Sequence, residues 1–193
     1  MGFQLMLWFF KKLTYRNVML PDFNLSHTIG TLVESIFNNE EDKFTQLIHE
    51  TPAELLIQYR PYFMLISAKN QRKHILNTLA QLDNNANVIK TALSTTAQLC
   101  AQEGDISPLI TLLENPLISS YANFDNNYLL RSMSEKQHTN IVLELLKHRA
   151  VTHHVTCDAN YAFRINAAKG NLDVVNKLLG FSAVNEQLSI LNN

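Results

Sequence analysis

Cysteine is nearly absent from this chain. Its 193 residues include two, Cys100 and Cys157, 57 positions apart. That is too few to staple a domain of this size, and no redox or zinc motif has this spacing. A disulfide scaffold is excluded, and a reducing, cytoplasmic setting is the simplest expectation. Glycine and proline are scarce as well, five of each, against 29 leucines. Few turn formers among many helix formers imply an all-α chain. Neither sign of charge is in excess: 16 Lys and Arg against 17 Asp and Glu leave a net charge of −1. Without a positive surplus, nucleic-acid binding is not expected. Long apolar runs are missing too. Met1 to Phe10 is strongly apolar, but Lys11 and Lys12 end it well short of the ~20 residues that span a bilayer. The charges follow the apolar stretch instead of preceding it, which is the reverse of a secretory signal. Residues 1–28 are therefore expected to form an apolar cap packed on the chain, not a membrane contact.

What the chain does have is a period. Asp158-Ala159-Asn160-Tyr161-Ala162-Phe163-Arg164 matches Asp125-Asn126-Asn127-Tyr128-Leu129-Leu130-Arg131 at an offset of 33, and Leu178-Leu179 matches Leu145-Leu146. One step further back, Ala101, Gly104, Ile106, Leu109 and Leu112-Leu113 align with Ala167, Gly170, Leu172, Val175 and Leu178-Leu179. Another step places Met64, Ala68, Ile75 and Leu79 on Phe163, Ala167, Val174 and Leu178. A weaker fifth copy, with Leu32, Ile36, Phe44 and Leu47-Ile48, falls at an offset of 131 where four periods require 132. Each copy reads as a helix with a small residue on its packing face, a break, and a second helix with apolar positions at i, i+1, i+4 and i+5. Ala68, Ala101, Ser134 and Ala167 are expected at equivalent buried sites where first helices approach closely.

The last copy, from Asp158 to Leu179, resembles a divergent ankyrin repeat in which Asn-Tyr-Ala-Leu-Arg replaces Thr-Pro-Leu-His. The resemblance covers roughly residues 61 to 180 and fades upstream. It implies an ankyrin-like solenoid of stacked helix pairs with a 33-residue period: a degenerate first repeat at 29–60, then four repeats with a C-terminal cap at 61–193. Gln71 and Gln137 stand where the other copies have Gly104 and Gly170. Left-handed turns are less favoured without glycine, so plain loops or longer helices are expected at some inter-repeat links. The tracts Asp83 to Asn87 and Asn123 to Asn127 read as loops.

The family resemblance implies a protein-binding scaffold that contacts its partner through loop tips and the concave face, the latter at the end of each first helix. Those positions are Asp125 and Asn127, Asp158 and Asn160, then Lys69-Asn70, Gln102-Glu103, Glu135-Lys136 and Lys169. It also associates the chain with proteins that intracellular bacteria or large viruses direct at host factors, which would place it in host cytoplasm. The alternative is an adaptor whose activity lies in the N-terminal 60 residues, F-box-like or membrane-associated, since Leu20-Pro21-Asp22-Phe23 faintly resembles an F-box opening. No catalytic motif is found: there is no Gly-rich phosphate loop, no nucleophile elbow and no His-Glu-x-x-His. His148, His153, His154 and Cys157 form the densest cluster, but a structural zinc wants four ligands in close pairs. Neither metal nor cofactor is expected, and Cys100 reads as core. His138, at the position that Asn171 holds in the last copy, is expected to brace a loop.

Overall fold

The computed structural model describes residues 23–83 and 85–191. Most of the expected N-terminal cap therefore lies outside the described residues. Those described are all-helical, with no strand: α1 (Phe23–Asn38), α2 (Glu41–Glu50), α3 (Ala53–Lys69), α4 (Lys73–Gln81), α5 (Ala86–Glu103), α6 (Ser107–Leu113), α7 (Pro116–Ser120), α8 (Phe124–Glu135), α9 (Thr139–Leu145), α10 (Arg149–Thr152), α11 (Cys157–Ala168), α12 (Leu172–Leu179) and α13 (Ser182–Leu191). None of these helices is long and apolar enough to cross a membrane. The chain divides into two compact units, Met1–Asn84 and Asn85–Asn193, at the asparagine tract that reads as a loop.

In the first unit α1 pairs with α2 and α3 with α4, while α1 packs on α3 and α2 on α4. Leu32, Ile36, Phe44, Ile48, Met64, Ala68, Ile75 and Leu79 are all buried, as their periodic spacing requires. Arg72 reaches back from the turn before α4: its Nε donates to Ile36 O at 3.2 Å and its Nη2 to Phe37 O at 2.9 Å. Both carbonyls lie in the last turn of α1, where Ile36 O also accepts from Asn39 N–H at 3.3 Å. Arg60 is buried among the apolar side chains of α3 and its guanidinium pairs with Asp83.

In the second unit α5 pairs with α6, α8 with α9 and α11 with α12; α8 packs on α5 and on α11, and α9 on α12. The core repeats with the sequence. Leu112, Leu145 and Leu178 are each 0% exposed, as are Ile118, Val151 and Val184 at the same offset. The small-residue expectation needs correction. Ser134 is buried, but Ala101 is only half-buried and Ala167 is exposed. Among the described residues no further first helix follows α11, so nothing covers Ala167. The site buried in every copy lies one residue earlier, at Ser67, Cys100, Met133 and Asn166.

The break between paired helices is one turn used repeatedly. Gln71, Gly104, Gln137 and Gly170 have φ of 57°, 77°, 61° and 72°, and Asn39 has 59°. Asn39 precedes Gly170 by 131 positions, the offset of the weak fifth copy. After Gln71, Gln137 and Gly170 the next N–H closes the helix end, Arg72 to Ser67 O at 2.8 Å, His138 to Met133 O at 3.0 Å and Asn171 to Asn166 O at 2.9 Å. The two glutamines thus keep the left-handed turn despite a steric cost of about 1 kcal/mol each. The links from one pair to the next differ between the units: α2 reaches α3 through the short non-helical Thr51-Pro52, a plain loop as expected at some links. Within the second unit each begins with a helix, α7, α10 or α13, starting at Pro116, Arg149 or Ser182. The first two links then enter the next first helix through left-handed residues, Asp125, Asn126 and Asn127 (φ 47°, 56° and 56°) and Asp158, Ala159 and Asn160 (φ 54°, 52° and 59°).

Candidate partner-binding surface

Of the positions that the resemblance assigns to partner contact, Lys69 is exposed in the first unit, and Asn70 turns back so that its Nδ2 donates to Ile66 O at 2.8 Å. In the second unit Gln102, Glu103, Asp125, Glu135, Lys136, Asp158 and Lys169 are exposed. Asn127 and Asn160 are not: both are 0% exposed, and this corrects their assignment to the surface. The left-handed turn points each side chain inward. Asn127 Nδ2 donates to Val151 O at 2.9 Å and to His154 O at 2.8 Å, and Asn160 Nδ2 reaches Val184 O at 3.5 Å. Asparagine tolerates the left-handed region because its short polar side chain satisfies local backbone groups.

The arginine that ends each motif clamps the same turn. Arg131 Nε donates to Asn126 O at 2.9 Å and Nη2 to Asp125 O at 3.2 Å; Arg164 repeats this on Ala159 O at 2.9 Å and Asp158 O at 3.2 Å. These arginines also connect copies. Arg131 pairs with Asp158 at 3.4 Å, much as Lys90 pairs with Asp125 at 3.1 Å. The Arg131 and Arg164 guanidinium groups lie 6.0 and 5.8 Å from the Tyr161 ring centre. Tyr128 is 40% exposed and stacks at 5.7 Å on Phe124, over which Lys90 sits at 5.8 Å. A cleft of about 410 Å³ runs beside these rings, with Asn87, Thr91 and Ser94 on its other wall. Tyr128, Arg131, Tyr161 and Arg164 were not among the expected contacts. Their signal was the repeat itself, which returns Tyr and Arg at the same offset.

Two further clefts, of about 330 and 260 Å³, flank His138. Ala101 lines both, Met133 and Lys136 wall the first, and Cys100 and Ile141 the second. The bracing role expected here is performed in the last copy, where Asn171 Nδ2 donates to Thr139 Oγ1 at 2.9 Å and to Asn166 Oδ1 at 3.0 Å. Lys169 Nζ bonds the Glu135 carbonyl, so one of the exposed lysines already ties two copies together.

The cysteines offer no ready nucleophile. Burial pushes the Cys100 thiol up to about 11, and burial also raises Cys157, whose Sγ lies 3.2 Å from Asn126 O. His153 and His154 meet edge to face at 5.1 Å, and His148 Nε2 lies 3.7 Å from Glu144 Oε1. Among the described residues no three His, Cys, Asp or Glu side chains are grouped to hold a metal ion. Comparison with protein-family models, with curated proteins and with solved structures finds no match.

Proposed function

We propose that this chain is a protein-binding scaffold, an ankyrin-like stack of helix pairs that acts without catalysis and engages its partner through the first helices of the second unit. One observation supports the reading above others: Tyr128, Arg131, Tyr161 and Arg164 recur at the period of the core while standing at or near the surface. Tyr and Arg are the residues that most often dominate a protein interface. Lys90, Asp125, Arg131 and Asp158 alternate in sign along the same face. A partner is then selected by shape and local pairing, not by bulk charge. The resemblance adds the proposal that the partner is a host protein met in host cytoplasm.

The test is proximity labelling in eukaryotic cells, followed by affinity measurement on the captured partner. Tyr128→Ala should weaken binding at least tenfold, about 1.4 kcal/mol, and charge reversal at Lys136 should weaken it further. Asp173→Lys, on the exposed side of α12, should leave it unchanged. Glu144 is unsuitable for that control, since it is buried and paired with Lys147 at 2.6 Å. Binding that survives these changes and disappears when residues 1–28 are deleted would replace the scaffold with the N-terminal adaptor.

A further inference from the structure

The link that contains α10 gathers basic side chains for which the packing gives no reason. Each link must bury one apolar anchor, and Ile118, Val151 and Val184 supply it, all 0% exposed. The residues around the anchor are unconstrained. Where the α10 link has His148, Arg149, His153 and His154, the preceding link has Asn115, Pro116, Ser120 and Tyr121, and the following one has Phe181, Ser182, Glu186 and Gln187. Packing is thus satisfied equally by neutral, aromatic or acidic side chains. The four basic residues line a cleft of about 480 Å³ between α7 and α10, opposite Ser119 and Ser120, and no carboxylate lines it.

We propose that this cleft binds a phosphate monoester. Arg149 supplies a permanent charge and a planar fork that matches two oxyanion oxygens. His153 and His154 place two further imidazole rings on the same wall as hydrogen-bonding groups. His148 Nε2 is buried without a hydrogen-bond partner and faces Glu144 Oε1 at 3.7 Å. His148 is thus turned toward Glu144, which leaves Arg149, His153 and His154 for the ligand. The other oxygen of Glu144 pairs with Lys147 Nζ at 2.6 Å. From α7 no titratable group lines the cleft. Ser119 and Ser120 donate to Pro116 O and Leu117 O, so they must exchange those bonds to contribute. The cleft has room beside the oxyanion for the group that carries it. The site stands on α7 and α10 and does not depend on the first-helix face.

Calorimetric titration of the full chain at constant ionic strength tests this with two kinds of probe. Sulfate presents the same tetrahedral oxyanion and should bind with saturable heat at millimolar concentration. Arg149→Gln should weaken sulfate binding at least tenfold. The double variant His153→Asn, His154→Asn should weaken sulfate binding as well, and Lys177→Gln, an exposed cation elsewhere, should change nothing. Thermal melts confirm that each variant is folded. Phosphoserine peptide binding above that of inorganic phosphate assigns the monoester to a protein, and the reverse order to a free phosphate. Sulfate that gives no saturable heat at millimolar concentration, or that weakens equally in Arg149→Gln and Lys177→Gln, overturns the proposal.

Discussion

Asn127 holds Val151 from 24 positions upstream, its buried amide donating to the carbonyl of that residue at 2.9 Å. One repeat later Asn160 stands in the same relation to Val184, at 3.5 Å. Each bond ties the start of a first helix to the apolar anchor of the next link, so a side chain that reads as a polar tip is part of the interior. Asn127→Ala takes this donor from Val151 O and His154 O, which keep only the backbone N–H groups of His154 and Cys157. It also forces alanine into the left-handed region. Together these should cost about 2–4 kcal/mol in denaturant unfolding. Asn160→Ala, which loses one longer bond, should cost less. Equal or negligible losses would show that the amides do not hold the links.

The recurrent left-handed turn predicts opposite signs for opposite substitutions. Gln71→Gly and Gln137→Gly relieve φ of 57° and 61° and should stabilise by up to about 1 kcal/mol, less what glycine gains in the unfolded chain. Gly104→Ala and Gly170→Ala meet no atom within 4 Å, so any loss comes from backbone strain alone, about 1–2 kcal/mol. A melting series of the four variants checks both directions.

The period was legible because the core obeys it: a leucine at 112, 145 and 178 is buried each time. Even the slip to an offset of 131 was readable and corresponds to Asn39 in the left-handed turn. The direction of the Asn-Tyr motif was not readable. Three successive left-handed residues without a glycine carry no composition signal, and hydrophobic periodicity treats asparagine as outward-facing. Arg131 and Arg164 were hidden for a related reason, since a guanidinium folded back on carbonyls five and six positions upstream looks in sequence like any exposed charge. The exposure of Ala167 and the division near residue 84 depend on which helices pack beyond a given copy, which no single copy encodes.

Cysteine chemistry should separate the two thiols. With Cys100 raised to about 11 by burial, maleimide at pH 8 should label half-exposed Cys157 first and reach Cys100 only on unfolding. The sign of the linked stability follows. The unfolded thiol ionises near its ordinary value of 9.0 and the folded one only near 11, so the unfolded state binds fewer protons between them. The stability from burying the neutral thiol is full below about pH 9 and is lost as pH rises toward 11. Cys100→Ala should shrink that alkaline decline in melting temperature. An unchanged pH profile would show that Cys100 does not contribute to it.

Stacking itself is tested by one substitution at two equivalent sites. Ser134 is buried on α8 at 0% exposure, packed where α11 follows, whereas Ala167 is exposed on α11. A leucine at 134 must push a covered helix face apart and should cost about 1–3 kcal/mol. The same leucine at 167 meets solvent and should stay within about ±0.5 kcal/mol. Sequence position alone assigns the two sites the same penalty, so the difference isolates what the following helix contributes. Parallel urea denaturation of Ser134→Leu and Ala167→Leu decides it. A cost confined to 134 supports first helix packed on first helix, while equal costs would mean that another surface covers Ala167 in solution.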